Sequence, residues 1–324
     1  MKNYSIVLVL IVLAVLVTGC GPTTSTTSAA FVGGNEGLRT SFLPGNPPEA
    51  IFDSGSSSFS IVIKLENVGE NSIKANEGYV KINGLDPGTY GVSSFKKNFD
   101  SPIDGARKNF DGSVLNGGVA TIEFGPLKYT PTISGNLQQT VWADICYKYV
   151  SKSVSSLCIK NNPELLIADK KICDVEGEKN PQNSGAPIQV TSLKENFAGS
   201  GKIGVTILIS HVGTGDNFFD DRATECNDVE SNNQRGKIHI LVKPINVGGR
   251  TITPVCSGLS ETSGSNQGYL RLFKDSSGKA QYPLYCTVDA TSADSIFQVP
   301  IETEITYLYL QHVNQDITIR HVAQ

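Results

Sequence analysis

An all-β chain of two tandem β-sandwich domains is the fold class this sequence predicts, on three observations. Runs of Ile, Val, Thr and Tyr recur at short intervals, broken by Gly, Asn, Asp and Ser, which is the spacing of short strands joined by tight turns. Stretches rich in Ala, Leu, Glu and Lys, the residues that favour helix, are scarce. The plan is also used twice. Ser60-Ile61-Val62-Ile63-Lys64-Leu65-Glu66-Asn67-Val68-Gly69 is matched by Gly204-Val205-Thr206-Ile207-Leu208-Ile209-Ser210-His211-Val212-Gly213. Each is an alternating strand ending in a polar residue, Val and Gly, as an internal repeat would leave it.

The chain opens on Lys2 and an apolar run from Ile6 to Val17, closed by Val17-Thr18-Gly19-Cys20. A run of about a dozen apolar residues is too short for a spanning helix, which needs roughly twenty. A charged start, a short apolar core and a small-residue exit describe a secretory signal. The cysteine directly after that exit resembles the lipobox of bacterial and some archaeal lipoproteins. The resemblance implies that residues 1–19 are a signal peptide and that Cys20 becomes a lipidated first residue. The protein would then be exported and held on the outer face of the membrane, in the cell envelope. Residues 20–36 are small and Ser/Thr-rich, too polar to order themselves, and read as a flexible tether.

About 300 residues remain after the signal, enough for two domains of common size. The first is expected over 37–165. Leu38, Phe42 and Leu43 are apolar enough to dock as a first strand, and Pro44-Gly45 and Pro47-Pro48 kink the chain after it. Strands follow at Phe59–Glu66, Tyr79–Ile82 and Val119–Phe124, and a closing hairpin is expected from Gln139–Tyr149 and Ser155–Lys160. A linker over 166–185 carries Pro181-Gln182-Asn183-Ser184-Gly185. The second domain, 186–324, repeats the series at Pro187–Leu193, Ile203–Ser210, Lys237–Val242, Thr251–Cys256, Tyr269–Phe273 and Tyr282–Val288. It ends in a Tyr-rich strand, Glu304–Gln311, a short polar turn, and a last strand from Asp316.

The alternation Ile61, Ile63, Leu65, Asn67, Gly69, and more loosely Val205, Ile207, Ile209, Gly213, resembles the opening strand of immunoglobulin-like modules of the CARDB type, found in prokaryotic and often archaeal cell-surface proteins. His211 stands where that pattern has Asn. The resemblance implies two Ig-like sandwiches used for display or adhesion, with no catalytic residues to carry over.

Seven cysteines are present, and setting Cys20 aside leaves Cys146, Cys158, Cys173, Cys226, Cys256 and Cys286, an even set that an oxidising compartment would pair. A hairpin turning about Lys152 would place Cys146 opposite Cys158, within reach of a disulfide. The other four allow three pairings. Strands of alternating direction favour Cys226–Cys256 with Cys173–Cys286. No two cysteines stand close enough for the paired spacing of a zinc site.

Removing Lys2 with the signal takes the formal charge from −4 to −5, a mildly acidic balance without the basic clusters that nucleic acid requires. His211, His239, His312 and His321 belong to no His-Glu-x-x-His motif, and Gly-x-Ser-x-Gly is absent. No enzymatic activity is therefore expected, and no cofactor. The acidic stretch Asp216, Asp220, Asp221, around Phe218-Phe219 in a long loop, offers oxygens that could hold calcium, though not at EF-hand spacing. The paired aromatics either plug the end of a sandwich or form an exposed contact. Together these features lead to the expectation of a membrane-anchored lipoprotein with a structural, display or adhesion role. The alternative is a glycan- or peptide-binding module that uses the 211–236 loop. Trp142, Tyr147, Tyr149, Tyr307 and Tyr309 are expected in packing roles.

Overall fold

The computed structural model describes residues 30–160, 172–199, 201–215, 217–226, 233–291, 293 and 295–322. The expected signal peptide, Cys20, most of the tether, part of the linker and Asp216 lie outside these residues. The chain is all-β: every regular element among the described residues is a strand.

Two strands organise the molecule. Leu137–Ile159 and Phe297–Arg320 pair antiparallel from Leu137 opposite Ile319 to Ile159 opposite Phe297. This corrects the expected hairpin about Lys152 and the expected turn after Gln311. The physical reason lies in the side-chain alternation. From Val141 to Ile159 the odd-numbered residues are buried throughout, so the period of two never breaks. Ser151-Lys152-Ser153 has no Gly, Asn or Pro to reverse the chain, and Val313-Asn314-Gln315 likewise continues its strand.

The two long strands form the spine of a ten-stranded sheet. Gly78–Asn83 joins it beside the first long strand, while Lys237–Val242 and Gln267–Arg271 extend it on the other side. Two smaller sheets cover its inner face. A three-stranded sheet of Leu38–Phe42, Phe59–Asn67 and Val119–Leu127 covers the Leu137 end. A six-stranded sheet built on Ile188–Phe197, Lys202–His211 and Ala280–Asp289 covers the Ile159 end. Both halves are layered, as a sandwich is, and they share one continuous sheet and one apolar core. Within the expected linker, Gly177–Glu178 pairs with Ile188–Phe197, and Gln182–Asn183 pairs with the first long strand. The tether is also shorter than expected. The Val32 and Gly33 amides donate to the Glu70 carboxylate, so the chain is docked well before residue 37.

All six remaining cysteines are disulfide-bonded, as Cys146–Cys226, Cys158–Cys173 and Cys256–Cys286. The expected pairs Cys146–Cys158, Cys226–Cys256 and Cys173–Cys286 are corrected. Cys146 and Cys158 share the outer face, but twelve residues of one extended strand hold them apart, on the order of 40 Å. Cys256 instead lies directly opposite Cys286 in neighbouring strands. Three disulfides suit an extracellular, oxidising environment.

At the waist, Tyr147 faces Tyr309 and Tyr149 faces Tyr307 across the long strands. All four are fully buried, in edge-on or tilted contacts with centroids 5.8–6.4 Å apart. The Tyr307 hydroxyl bonds Ser151 within the spine, and the other three reach toward the cover sheets and their turns. Tyr149 donates to Gly185 O and accepts from Asn71 N, and Tyr309 accepts from Gly215 N and meets His211 Nε2 at 2.8 Å. This gives the sequence repeat a physical meaning. Gly69 lies beneath the Tyr149 hydroxyl and Gly213 beneath that of Tyr309, and neither place has room for a Cβ.

Candidate functional site

The 211–236 loop leaves the cover sheet at His211, adds the short strand Asn217–Phe219 to the second long strand, and then crosses the outer face of the ten-stranded sheet. Phe218 and Phe219 are both buried, on opposite faces of their short strand. Phe218 packs beside the His211 ring, with centroids 5.4 Å apart. Phe219 joins Tyr79, Cys146, Cys226, Leu308 and Leu310 in a second, smaller apolar cluster on the outer face. The paired aromatics therefore plug the fold, and the Cys146–Cys226 disulfide fastens the loop over Phe219.

The acidic residues are drawn inward with the loop. Asp220 is buried and accepts from Arg222 Nε at 2.9 Å and Nη2 at 2.6 Å, with Lys237 Nζ at 3.2 Å. Burial pushes its carboxyl upward, but the bonds from Arg222 and Lys237 outweigh that and hold it below the usual range. Asp221 accepts from Lys148 Nζ and the Tyr269 hydroxyl, both at 3.0 Å. The Arg222 guanidinium stacks over the Tyr269 ring at 3.9 Å and bonds Glu261 at 2.6 Å, while Lys237 also contacts Glu261. Asp220 and Asp221 thus spend their oxygens on protein cations and a phenol, and what they build is a cross-linked strap. Among the described residues, no group of three or more His, Cys, Asp and Glu side chains is placed to hold a metal ion.

The strap's partners Lys148, Lys237, Glu261 and Tyr269 were not singled out from sequence. The signal that could have found Lys148, Lys237 and Tyr269 is outward parity: each is a long polar or aromatic side chain on the solvent side of its strand. Trp142, expected in the core, is on the same outer face and 44% exposed. The histidines hold structural bonds: His312 Nδ1 lies 2.7 Å from Asp144, and His321 Nδ1 lies 2.8 Å from Asp53.

On the opposite side of the loop is an open cleft of about 560 Å³, lined by His211, Asn217, Arg235, Arg271, Lys274 and Lys279 among others. Its described lining has cations, ring nitrogens and backbone groups but no carboxylate side chain, a chemistry suited to anionic or hydroxyl-rich ligands.

No protein-family model matches the chain, and no curated protein matches it. Among solved structures, it is similar over 84% of its length to the secreted serine protease VesC from Vibrio cholerae, at 10% identity and a TM-score of 0.17. The chain spans half the length of that protein. A likeness this slight carries no argument about fold or activity.

Proposed function

We propose that this protein is an exported lipoprotein, anchored through Cys20 to the outer face of the membrane, with a non-catalytic display, structural or adhesion role through two fused Ig-like, CARDB-like β-sandwich halves. The observation that carries the reading is the Met1–Cys20 segment, with its charged start, short apolar core and cysteine directly after Gly19. The disulfides support it, because all six cysteines downstream of Cys20 pair among themselves. Filled sandwich interiors and a strapped outer face suit a rigid display element. The test is intact-mass analysis of protein purified from membranes. The expected N-terminus is a lipid-modified Cys20, and Cys20→Ser should release the chain into the soluble fraction. An unmodified Cys20 on membrane-bound protein would overturn the anchor.

A second reading is favoured by the cleft beside His211, which the 211–236 loop lines with Arg235 and shares with Arg271, Lys274 and Lys279. In that reading the cleft takes an acidic glycan or peptide. Binding to sulfated or uronate-containing glycans, lost on Lys274→Glu with Lys279→Glu, is the expected result.

A further inference from the structure

Arg107–Lys108 and Val114–Leu115 pair as a small hairpin. Phe110 at its tip is fully exposed, and Val114 and Leu115 on the return strand are about half exposed. The tip is a built turn. Asn109 N donates to Ser113 O, Gly112 N donates to Asn109 O, and the Asp111 carboxylate accepts from the Ser113 amide and hydroxyl. An aromatic ring held in water by a structured turn forgoes burial that the fold does not supply.

The second observation is where the chain enters the fold. Ala30 and Phe31 line the same depression, about 340 Å³, as Arg107, Lys108 and Lys152. The Glu70 carboxylate pins that entry by accepting from Val32 and Gly33. Ten peptide steps separate Cys20 from Ala30. They span at most roughly 34 Å when fully extended. A lipid on Cys20 therefore keeps the bilayer surface within roughly that reach of Ala30, on the side of the fold where the hairpin's base lies.

We propose that the 107–115 hairpin is a second membrane contact, in which Phe110, flanked by Val114 and Leu115, enters the interface of the bilayer to which Cys20 is anchored. This rests on the reading of Cys20 as lipidated. Arg107, Lys108 and Lys152 at the base supply positive charge toward anionic headgroups. The exposed Arg107–Asp104 pair, 3.9 Å apart, opposes this only weakly. Asp111 beside the ring stays at headgroup level, so insertion is shallow. A lipid joined by a second apolar or basic signal holds a membrane far better than a single weak anchor, and it would fix the orientation of the sandwiches on the surface.

The test uses a Phe110→Trp reporter in a Trp142→Phe background. Lipidated protein is reconstituted into phosphatidylcholine–phosphatidylglycerol vesicles carrying brominated acyl chains. The reporter should shift to the blue and be quenched about twofold more than a Phe273→Trp control on the second cover sheet. A second arm uses the mature chain with Cys20→Ser and the same vesicles. There Phe110→Asp should weaken binding about tenfold, the loss expected from removing one buried aromatic. Phe110 makes no core contact, so an unchanged unfolding midpoint verifies the variants. Equal quenching at both positions, or vesicle binding indifferent to Phe110→Asp, overturns the inference. Failure of the lipid reading shows separately, as an unmodified Cys20 mass, and does not affect the Cys20→Ser arm.

Discussion

The turns that follow the two repeated strands are built alike and used differently. In the first half Asn67 is buried, and its amide closes the turn by donating to Asn71 O at 2.8 Å and Ile103 O at 3.1 Å. In the second half His211 occupies the matching place and reaches across to the Tyr309 hydroxyl. Asn67 bonds backbone, so the chain after it returns at once along residues 70–73. His211 instead shares the Tyr309 hydroxyl with the Gly215 amide, and the long loop that follows goes on to plug, strap and line the cleft. The matching position thus bonds backbone in the first half, and a spine tyrosine in the half whose loop carries the candidate site.

The link between the halves is the sharpest place to break this comparison. Cys146 of the first half's spine and Cys226 of the second half's loop close a separation of 80 residues. The chain-entropy estimate for a loop of that size is about 4–5 kcal/mol. Cys146→Ala with Cys226→Ala should therefore lower unfolding free energy in urea by that order. The double variant of Cys158 and Cys173, which closes 15 residues, should lose about 3 kcal/mol. Equal losses would show that loop length does not set what the strap contributes.

The next test compares the two glycines beneath the tyrosines. A Cβ at Gly69 would overlap the Tyr149 hydroxyl and come within 2.5 Å of Gly185 O. A Cβ at Gly213 would come within 2.5 Å of the Tyr309 hydroxyl and of Pro187 Cβ. Overpacking of this kind costs roughly 1–3 kcal/mol or more. Gly69→Ala should exceed Gly213→Ala in cost, because backbone yields less readily than a side chain. Adding Tyr309→Phe should recover part of the Gly213→Ala loss in thermal unfolding, whereas Tyr149→Phe should recover little at Gly69, where the clash with Gly185 O remains.

The strands and their repeat were legible because alternation reports burial on one face, as in Ile61, Ile63, Leu65 and their counterparts. The spine was not legible. The same alternation that marks a strand is silent about where it stops when no turn residue intervenes, and Ser151-Lys152-Ser153 read as a turn only on polarity. Placing that turn wrongly misassigned every disulfide, since the cysteine partners follow from which strands are neighbours. The inward fate of Asp220 and Asp221 was hidden for a related reason: Lys148, Lys237 and Tyr269 are distant in sequence and meet the loop only through the shared sheet.

The two ends of the spine also bury opposite kinds of carboxylate, and pH separates them. At the first-half end Asp53 accepts from His321, Ile133 N and Val322 N, and these bonds, that of His321 foremost, lower its pKa to about 2. Its contribution is present above the ordinary Asp range and is lost as pH falls through about 2. At the second-half end Glu195 is buried against the Cys158 amide and Lys179. Desolvation outweighs those partners and raises its pKa to about 7. A carboxyl that holds its proton more tightly when folded stabilises most below its unfolded pKa, and that stability fades as pH rises through about 7. Between pH 5 and 8 the second half should therefore lose on the order of 1–3 kcal/mol, measured as the pH dependence of urea unfolding. Glu195→Gln keeps an acceptor for the Cys158 amide but cannot ionise, so it should flatten that slope. If Glu195→Gln leaves the slope as steep as before, the charge is relieved by Lys179 and the two ends do not differ in the way their burial implies.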